Sequence, residues 1–354
     1  MKGLMLEGGG AKGAYEAGAI KALCKKGIYF DCVGGTSIGA INAVFYAARN
    51  LDGMYRLWLS TDSEELFGIE SQMLENITNF HLTKSDVKKG LNTVKRIVKN
   101  RGIDIANIRK ILEKNVSEKK FRRSKIDFAM NTYSLSDMKP VEVFKKDIPE
   151  GKLIDYIISS AYLPVFKFER IIDDKFYIDG GVYSNCPVDM LVDAGYEEIY
   201  VIRAWEKRLP IKNKKKAKIH IIGPRENLGS IMLFEPKIAE YRMNLGYYDT
   251  IRYLDKLDGN KYYFKNYSEE YYSKLFDKKT YSKMIKLYNK GLPVRSDKEF
   301  IIKIIEKVCK ELNIERFKVY NIPYLITRLK YKMAGKRKNH YYEFIKNINV
   351  DFEI

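Results

Sequence analysis

Cysteine, histidine and proline are scarce in this chain of 354 residues, which has four, three and nine of them. Four cysteines are too few for a disulfide scaffold, which needs a much denser set in a short chain. No stretch reaches the roughly 18 uncharged apolar residues of a membrane-spanning helix. The first residues also lack the apolar section, roughly 7–15 residues long, of a secretory signal. We therefore expect a cytoplasmic protein with reduced thiols, and peripheral binding at the inner membrane face is a further hypothesis.

Acidic residues are outnumbered, with 45 aspartates and glutamates against 64 lysines and arginines and a net charge of +19. The excess is uneven, because residues 1–200 carry +2 and residues 201–354 carry +17, with lysine clusters at 212–216 and 336–338. Such asymmetry points to an anionic membrane or a nucleic acid as partner. Lysine dominates over arginine and no nucleic-acid motif is present, which argues against RNA or DNA. A composition biased toward lysine, tyrosine, isoleucine and asparagine is an equal alternative explanation.

The first half of the chain alternates strand and helix patterns. A buried strand at Lys2–Leu6 leads through glycines into a helix at residues 14–26. A strand at 28–33 then leads through glycines into an alanine-rich helix at 38–48. Two strand–glycine–helix units in such a short stretch predict the parallel sheet of an α/β protein. Further strands are predicted at residues 127–134, 141–144, 176–178, 199–203 and 218–222.

Other regions interrupt this alternation. Residues 51–125 are polar with a helical tendency, and we expect an inserted helical layer that covers one face of the sheet. Residues 207–218 are rich in lysine and are predicted to form a solvated loop. From residue 231 onward the pattern is helical, with tyrosine and lysine throughout. We predict an α/β domain at 1–255 and a basic helical region at 256–354.

A glycine-rich loop, Gly8-Gly9-Gly10-Ala11-Lys12-Gly13, follows the first strand and opens the first helix. Glycine lets the backbone approach a ligand closely, and N–H groups at a helix start attract negative charge. A dinucleotide site fits the spacing of the glycines, with Asp31 near the place of the ribose-binding acid. An oxyanion hole for acyl transfer fits as well, and so does a tight turn without a ligand. The loop alone leaves all three interpretations open.

The segment Gly35-Thr36-Ser37-Ile38-Gly39 separates these interpretations. A Gly-x-Ser-x-Gly directly after a strand and at the start of a helix is the nucleophile elbow, whose sharp turn exposes the serine oxygen. The second strand of a dinucleotide fold would instead lead into an ordinary loop. The sequence therefore favours acyl transfer, with N–H groups of the first glycine loop and of Ile38 converging on an oxyanion beside Ser37.

A serine nucleophile needs a base, and none of the three histidines has a suitable setting. His81 precedes most of the sheet, His220 is interpreted as a core or pairing residue in a strand, and His340 lies in the basic tail. Asp179 follows a strand and precedes two glycines, which let another backbone come close. Burial beside the serine would raise its pKa from about 3.9 and make it a better base at neutral pH. A turn acid that binds its own backbone is the alternative interpretation of Asp179.

These three elements, in this order, resemble those of the patatin-like phospholipases. The family has a glycine-rich oxyanion loop, here Gly8 to Gly13, a Gly-x-Ser-x-Gly serine, here Gly35 to Gly39, and an aspartate motif, here Asp179-Gly180-Gly181. Segments 159–166 and 185–188 are similar to the stretches that flank the family's aspartate. The resemblance covers roughly residues 1–250. It implies a three-layer α/β/α fold with a mainly parallel sheet, and a catalytic domain at 1–255 that hydrolyses lipid acyl esters without metal or cofactor.

The resemblance also implies that Ser37 and Asp179 act as a dyad without histidine. Asp179 would take the proton of Ser37, which attacks the ester carbonyl, and water would then release the fatty acid from an acyl-enzyme. Lys12 would orient the loop or meet a lipid phosphate, and a solvated lysine is an equal alternative. A thioesterase or acyltransferase on the same dyad, and a membrane-surface binding protein acting through the basic C-terminal region, are the alternative functions.

Overall fold

The computed structural model describes residues 1–70, 102–206, 217–276, 279, 281–282, 296–335 and 339–348. They fall in two compact units, Met1–Asp249 and Thr250–Ile354. The division lies within one helix, Pro236–Asp255. His81 and the lysine clusters at 212–216 and 336–338 lie outside the described residues. No helix in the described ranges is long and apolar enough to cross a membrane.

The first unit is built on an eight-stranded sheet. Its strands are β1 (Lys2–Leu6), β2 (Cys32–Gly35), β3 (Asp127–Ser134), β4 (Lys139–Phe144), β5 (Arg170–Ile172), β6 (Lys175–Asp179), β7 (Glu198–Ile202) and β8 (Lys218–Ile222). Their order is β5-β6-β3-β2-β1-β7-β8, and β4 also pairs with β3. The five neighbouring strands β3-β2-β1-β7-β8 are parallel to one another. Strands β4 and β6 pair antiparallel with β3, and β5 pairs antiparallel with β6. The predicted α/β class with a mainly parallel sheet is confirmed.

Helices lie on both faces of this sheet. The described helices of the first unit are α1 (Gly13–Lys25), α2 (Ile38–Ala47), α3 (Leu51–Ser60), α4 (Ser63–Phe67), α5 (Ala106–Asn115), α6 (Glu118–Arg123), α7 (Leu153–Ser160), α8 (Val188–Asp193) and α9 (Pro236–Asp255). Gly39 of α2 packs so closely on Leu6 of β1 that an added Cβ would lie 2.6 Å from the Leu6 carbonyl oxygen. Leu191 of α8 packs on Gly3, whose side of the strand is opposite to that of Leu6. These contacts give the three layers that were predicted.

The second strand begins later than the prediction of residues 28–33. Gly27 has a φ of +73°, and the Ile28 amide donates to the Leu23 carbonyl oxygen at 3.0 Å. Residue 28 therefore completes the C-terminal cap of α1, because glycine in the left-handed region ends a helix with this kind of bond. Pairing with β1 starts only at Cys32, opposite Gly3.

The helical insertion predicted at 51–125 is described at its two ends, by α3 and α4 and by α5 and α6. Residues of α3, α4 and α5 line cavities beside α2. The predicted lysine-rich loop at 207–218 lies outside the described residues except for its last two positions, and Lys218 begins β8.

The second unit contains α10 (Glu269–Lys274), α11 (Asp297–Glu311), α12 (Ile322–Met333) and α13 (His340–Lys346). Its core is aliphatic and aromatic, with Phe264, Phe300, Ile305 and Leu325 fully or almost fully buried. A short parallel pair, β9 (Tyr263–Phe264) with β10 (Val319–Tyr320), departs from the helical prediction. Two-residue strands leave no alternating pattern in a sequence, which is why this pair was missed.

Candidate active site

Ser37 occupies the predicted sharp turn between β2 and α2. Its φ of 57° and ψ of −126° are a conformation that a non-glycine residue rarely adopts. The turn explains both flanking glycines: an added Cβ on Gly35 would lie 2.3 Å from the backbone carbon of Gly39, and Gly39 meets β1 as described above. Ser37 is buried, and its amide donates to the Ser160 hydroxyl oxygen at 2.9 Å.

Strand β3 brings Asp179 to this turn. Its first half pairs with β2, up to the register Gly35 to Met130, and its second half pairs with the antiparallel β6, from Asp179 opposite Thr132. Strands β2 and β6 therefore run toward each other along one side of β3. Their carboxyl ends meet, and each end carries one member of the predicted dyad.

Asn131 sits between these two ends. Its side-chain oxygen accepts a hydrogen bond from the Thr36 hydroxyl at 2.6 Å, and its amide donates to the carbonyl oxygens of Gly180 at 3.2 Å and Ser184 at 2.8 Å. An added Cβ on Gly180 would lie 2.5 Å from the Asn131 carbonyl oxygen, so the aspartate turn requires glycine there. Asn131 thus fixes the serine turn and the aspartate turn relative to each other.

The Asp179 carboxylate is 6% exposed. Burial raises its pKa to about 6, while hydrogen bonds from the Ser37 hydroxyl and from the Gly181 amide, the latter at 2.7 Å, act in the opposite direction. The bond from Gly181 shows that the carboxylate also binds its own turn, so both interpretations of Asp179 describe real contacts. A carboxylate with a pKa near 6 is a better base at neutral pH than an exposed one.

The first glycine loop lies against Ser37, since an added Cβ on Gly8 would be 3.2 Å from the Ser37 Cβ. Most of its amides are already engaged: Gly8 donates to Asn185, Ala11 to Ile231, Lys12 to Gly9 and Gly13 to Gly10. Among the described residues, the amides of Gly9, Gly10 and Ile38 have no such acceptor. The candidate oxyanion donors are therefore these three amides. The amides of Gly8, Ala11, Lys12 and Gly13 are excluded because each already donates a hydrogen bond.

The Gly8 carbonyl is held by two side chains that flank the loop. Asn185 Nδ2 donates to it at 2.8 Å and Trp205 Nε1 at 2.9 Å. The Gly8–Gly9 peptide is planar, so fixing this carbonyl also fixes the direction of the Gly9 N–H. Asn185 and Trp205 are therefore positioning residues for a candidate oxyanion donor.

Glu7 and Arg203 anchor the start of the loop from β1 and the end of β7. Arg203 donates to both Glu7 oxygens at 2.8 Å, and both side chains are buried. One of these oxygens also accepts the amides of Ala204 and Trp205, at 2.8 and 3.2 Å. The pair is a bidentate, hydrogen-bonded ion pair of the kind that resists disruption once buried.

Lys12 is 4% exposed, so the prediction of a solvated lysine is wrong. Its ammonium lies 3.3 Å from the centre of the Trp205 ring, and burial together with the charge of Arg242 lowers its pKa. Arg242, from α9, is itself buried and donates to the Ala11 carbonyl oxygen at 2.8 Å and to carbonyl oxygens of residues 228, 230 and 233. Of the two predicted roles of Lys12, this burial supports orienting the loop.

A cavity opens beside the serine. Gly10, Ser37 and Ile38 line it together with apolar side chains of α2, α4, α5 and α7 and of residues 161–166 and 231–234. A cavity with this apolar lining suits an alkyl chain whose polar end lies at Ser37.

A family model described as patatin-like phospholipase matches residues 4–192, more than half of the chain. The chain belongs to the patatin-like phospholipase family. The resemblance inferred from the three motifs is confirmed, and the matched range contains the glycine loop, Ser37 and Asp179.

Relatives of this patatin-like chain include the lysophospholipase NTE1 of Kluyveromyces lactis, which is 25% identical over 258 residues. That alignment covers 72% of this chain and 16% of the yeast protein. Patatin-like phospholipase domain-containing protein 7 of Rattus norvegicus is 24% identical, over 56% of this chain and 13% of its own length. The chain therefore spans only a small part of these curated relatives. The solved structure of VipD from Legionella pneumophila is 14% identical, with a TM-score of 0.39 and coverage of 96% of this chain and 81% of VipD.

The structure describes two of the three histidines of this patatin-like chain, His220 and His340. His220 pairs with Glu198 at 3.0 Å and stacks on Tyr200, as the pairing interpretation predicted, and His340 begins α13. Within the described ranges, no group of three histidine, cysteine, aspartate or glutamate side chains is placed to hold a metal ion.

Sequence reasoning missed Asn131, Asn185, Arg203 and Trp205. Asn185 and Ser160 lie in the two segments that resemble the family. The resemblance therefore marked these segments but did not assign a role to either residue. Asn131 follows the apolar run at residues 128–130 in β3, and a buried polar residue needs partners. For Arg203 and Trp205 no local signal exists, because their partners lie almost 200 residues earlier.

Proposed function

We propose that this chain is a serine lipid acyl hydrolase of the phospholipase A or lysophospholipase type, with Ser37 and Asp179 as its catalytic dyad. The observation that carries the proposal is the meeting of the serine turn and the aspartate turn at the carboxyl ends of β2 and β6, with Ser37 lining an apolar cavity. Membership of the patatin-like phospholipase family supports the same reaction class.

The proposed reaction begins when the ionised Asp179 carboxylate takes the proton of Ser37 as its oxygen attacks the ester carbonyl. The amides of Gly9, Gly10 and Ile38 stabilise the tetrahedral oxyanion, and one such donor contributes about 2.7–4 kcal/mol to the transition state. Protonated Asp179 then gives its proton to the departing alcohol. The acyl group remains on Ser37 with its chain in the cavity, and water activated by Asp179 releases the fatty acid.

A fluorophosphonate probe tests this assignment directly, because it labels a serine only when that serine is an activated nucleophile. We expect labelling of the wild-type protein and none of Ser37→Ala. Ser134→Ala is the matched control, since Ser134 is another buried serine, bonded to Asp137. Equal labelling of wild type and Ser37→Ala would refute the nucleophile.

Thioester cleavage and acyl transfer would use the same dyad as ester hydrolysis. These reactions are therefore distinguished by testing which substrates the protein accepts. A panel of phospholipids, lysophospholipids, glycerides and acyl thioesters, assayed with Ser37→Ala as blank, ranks these activities. We expect ester hydrolysis to dominate; a thioester preferred over every oxygen ester would replace the proposal.

We also propose that the second unit binds an anionic membrane surface. Helix α12 exposes Tyr324, Tyr331 and Lys332, with Tyr331 84% exposed. Tyrosine and lysine together are typical of side chains at a membrane–water interface, and this unit carries a net charge of +11. Such binding would bring a lipid hydrolase to its substrate.

A further inference from the structure

The cavity beside Ser37 adjoins a second one. Six residues line both of them: Ile38, Ile41, Leu66, Ile108, Leu112 and Phe234. We call the cavity at Ser37 the first chamber and the other the second chamber. The six shared residues form the boundary between the two chambers.

The second chamber continues along α2, away from the serine. On this helix, the first chamber is lined by Ile38 and Ile41, and the second extends to Phe45. Since a helix rises about 1.5 Å per residue, Phe45 lies about 12 Å along the helix axis from Ser37. The two chambers are thus arranged in series.

Trp58 of α3 lines the second chamber beside Ile38, because an added Cβ on Gly13 would lie 3.0 Å from the Trp58 ring and 2.6 Å from the Ile38 side chain. Its indole nitrogen donates to the Asn42 side-chain oxygen at 3.0 Å, and its ring stacks on Phe234 with 5.9 Å between centroids. The Asn42 amide donates in turn to the Gly13 carbonyl oxygen and to Glu16, at 3.0 and 2.8 Å. Asn42 and Trp58 thus bind one another, and apart from Thr61 the other residues that line the second chamber are apolar.

We propose that the second chamber binds the distal part of a long acyl chain, and that Ile41 and Leu112 set the chain length that is accepted. The proposal rests on the proposed function, which holds the ester carbonyl at Ser37. Ile41 comes from α2 and Leu112 from α5, and both line the two chambers at their boundary. Each additional buried methylene strengthens binding roughly fourfold, so a chain that reaches the second chamber is favoured over a short one.

The test places a larger side chain at the boundary of the chambers, with Ile41→Phe and, separately, with Leu112→Phe. The readout is the ratio of kcat/KM for p-nitrophenyl palmitate to that for p-nitrophenyl butyrate. We expect each variant to lower this ratio more than tenfold, because exclusion of even two methylenes has that effect. Ile154→Phe is the matched control, since Ile154 is a half-buried isoleucine of α7 that lines neither chamber; it should keep the wild-type ratio.

A folded variant at either position with a wild-type ratio would overturn the proposal, and the second position serves if the first variant does not fold. Failure of the proposed function is distinguishable, because the wild type would then hydrolyse none of the esters. Calorimetry of palmitate binding to Ser37→Ala, with and without Ile41→Phe, needs no hydrolysis. At least tenfold weaker binding in the double variant would support the chamber, and equal affinity would overturn it.

Discussion

The two units of the chain differ in what they bury. In the first unit, charged and polar side chains such as Glu7, Lys12, Asn131 and Arg203 lie inside the protein around one turn. Among the described residues of the second unit, the buried polar set is Thr250, Arg252 and Glu306. The first unit has a net charge of +8 over 249 residues, and the second has +11 over 105.

Polar groups therefore have different roles in the two units: they fix loops inside the first unit and form a charged surface on the second. A buried polar group costs free energy unless it is bonded, so a cluster of them is a sign that their positions matter. In the first unit the cluster fixes the loops that hold Ser37 and Asp179. In the second unit the ionic groups lie mostly at the surface, where they act on whatever approaches from solution.

The largest effect expected from this contrast is at Asp179. Asp179→Asn keeps the shape of the side chain but removes the base, and we expect kcat for a soluble ester to fall by about 10⁴-fold. Steady-state kinetics with circular dichroism as a fold control measures this. Because a protonated Asp179 cannot take the serine proton, the wild-type kcat/KM should rise with pH through about 6. A variant with near wild-type turnover would return the base role to another group.

The next effect compares one buried glutamate from each unit. Glu7→Gln leaves the Arg203 charge unpaired, and we expect the free energy of unfolding to fall by about 3–5 kcal/mol, together with a loss of hydrolysis. Glu306 accepts three backbone amides, at 2.6, 2.6 and 2.9 Å. In Glu306→Gln the remaining oxygen still accepts hydrogen bonds, so a smaller loss is expected, with hydrolysis of a soluble ester retained. Denaturant unfolding measures the loss of stability, and assays with a soluble ester measure the loss of hydrolysis. Equal losses of hydrolysis in the two variants would contradict the view that only the buried polar groups of the first unit serve the active site.

A smaller effect concerns stability and pH. The pKa of Asp179 is raised from 3.8 to about 6 in the folded protein, so its ionisation opposes folding above that pH. At pH values near 8, Asp179→Asn should be more stable than the wild type by about 2–3 kcal/mol. The difference should shrink as the pH falls through about 6 and vanish below about 4, where the carboxyl is protonated in both states. Urea titrations at several pH values test this, and a pH-independent difference would contradict the burial argument.

The smallest effect concerns the second unit. Lys332→Gln removes one exposed charge from α12, and we expect binding to anionic vesicles to weaken by about 1 kcal/mol, or roughly fivefold. Lys139→Gln, an exposed lysine of β4 in the first unit, is the matched control and should change binding less. Vesicle sedimentation at fixed salt compares them. Equal losses would mean that the whole surface, and not the second unit, attracts the membrane.

Local features were predictable from the sequence, and distant pairings were not. The turn at Ser37 and the turn at Asp179 need glycines within a few residues, so each leaves a readable motif. Their meeting depends on two strands that share β3, and on Asn131, whose partners are more than 45 residues away. The prediction that β2 starts at residue 28 was wrong because this residue belongs to the C-terminal cap of α1. The hydrophobic pattern does not show where a helix cap ends and a strand begins.

The Gly8–Gly9 peptide described above has a consequence for the rate of reaction. Its carbonyl, held by Asn185 and Trp205, makes the whole unit a fixed dipole whose positive end is the Gly9 N–H. A solvent dipole must turn toward a newly formed anion, and that rotation is part of the activation barrier in water. A dipole already oriented in the resting protein needs no such rotation, so in the proposed reaction its stabilisation of the oxyanion would be available from the moment the charge appears.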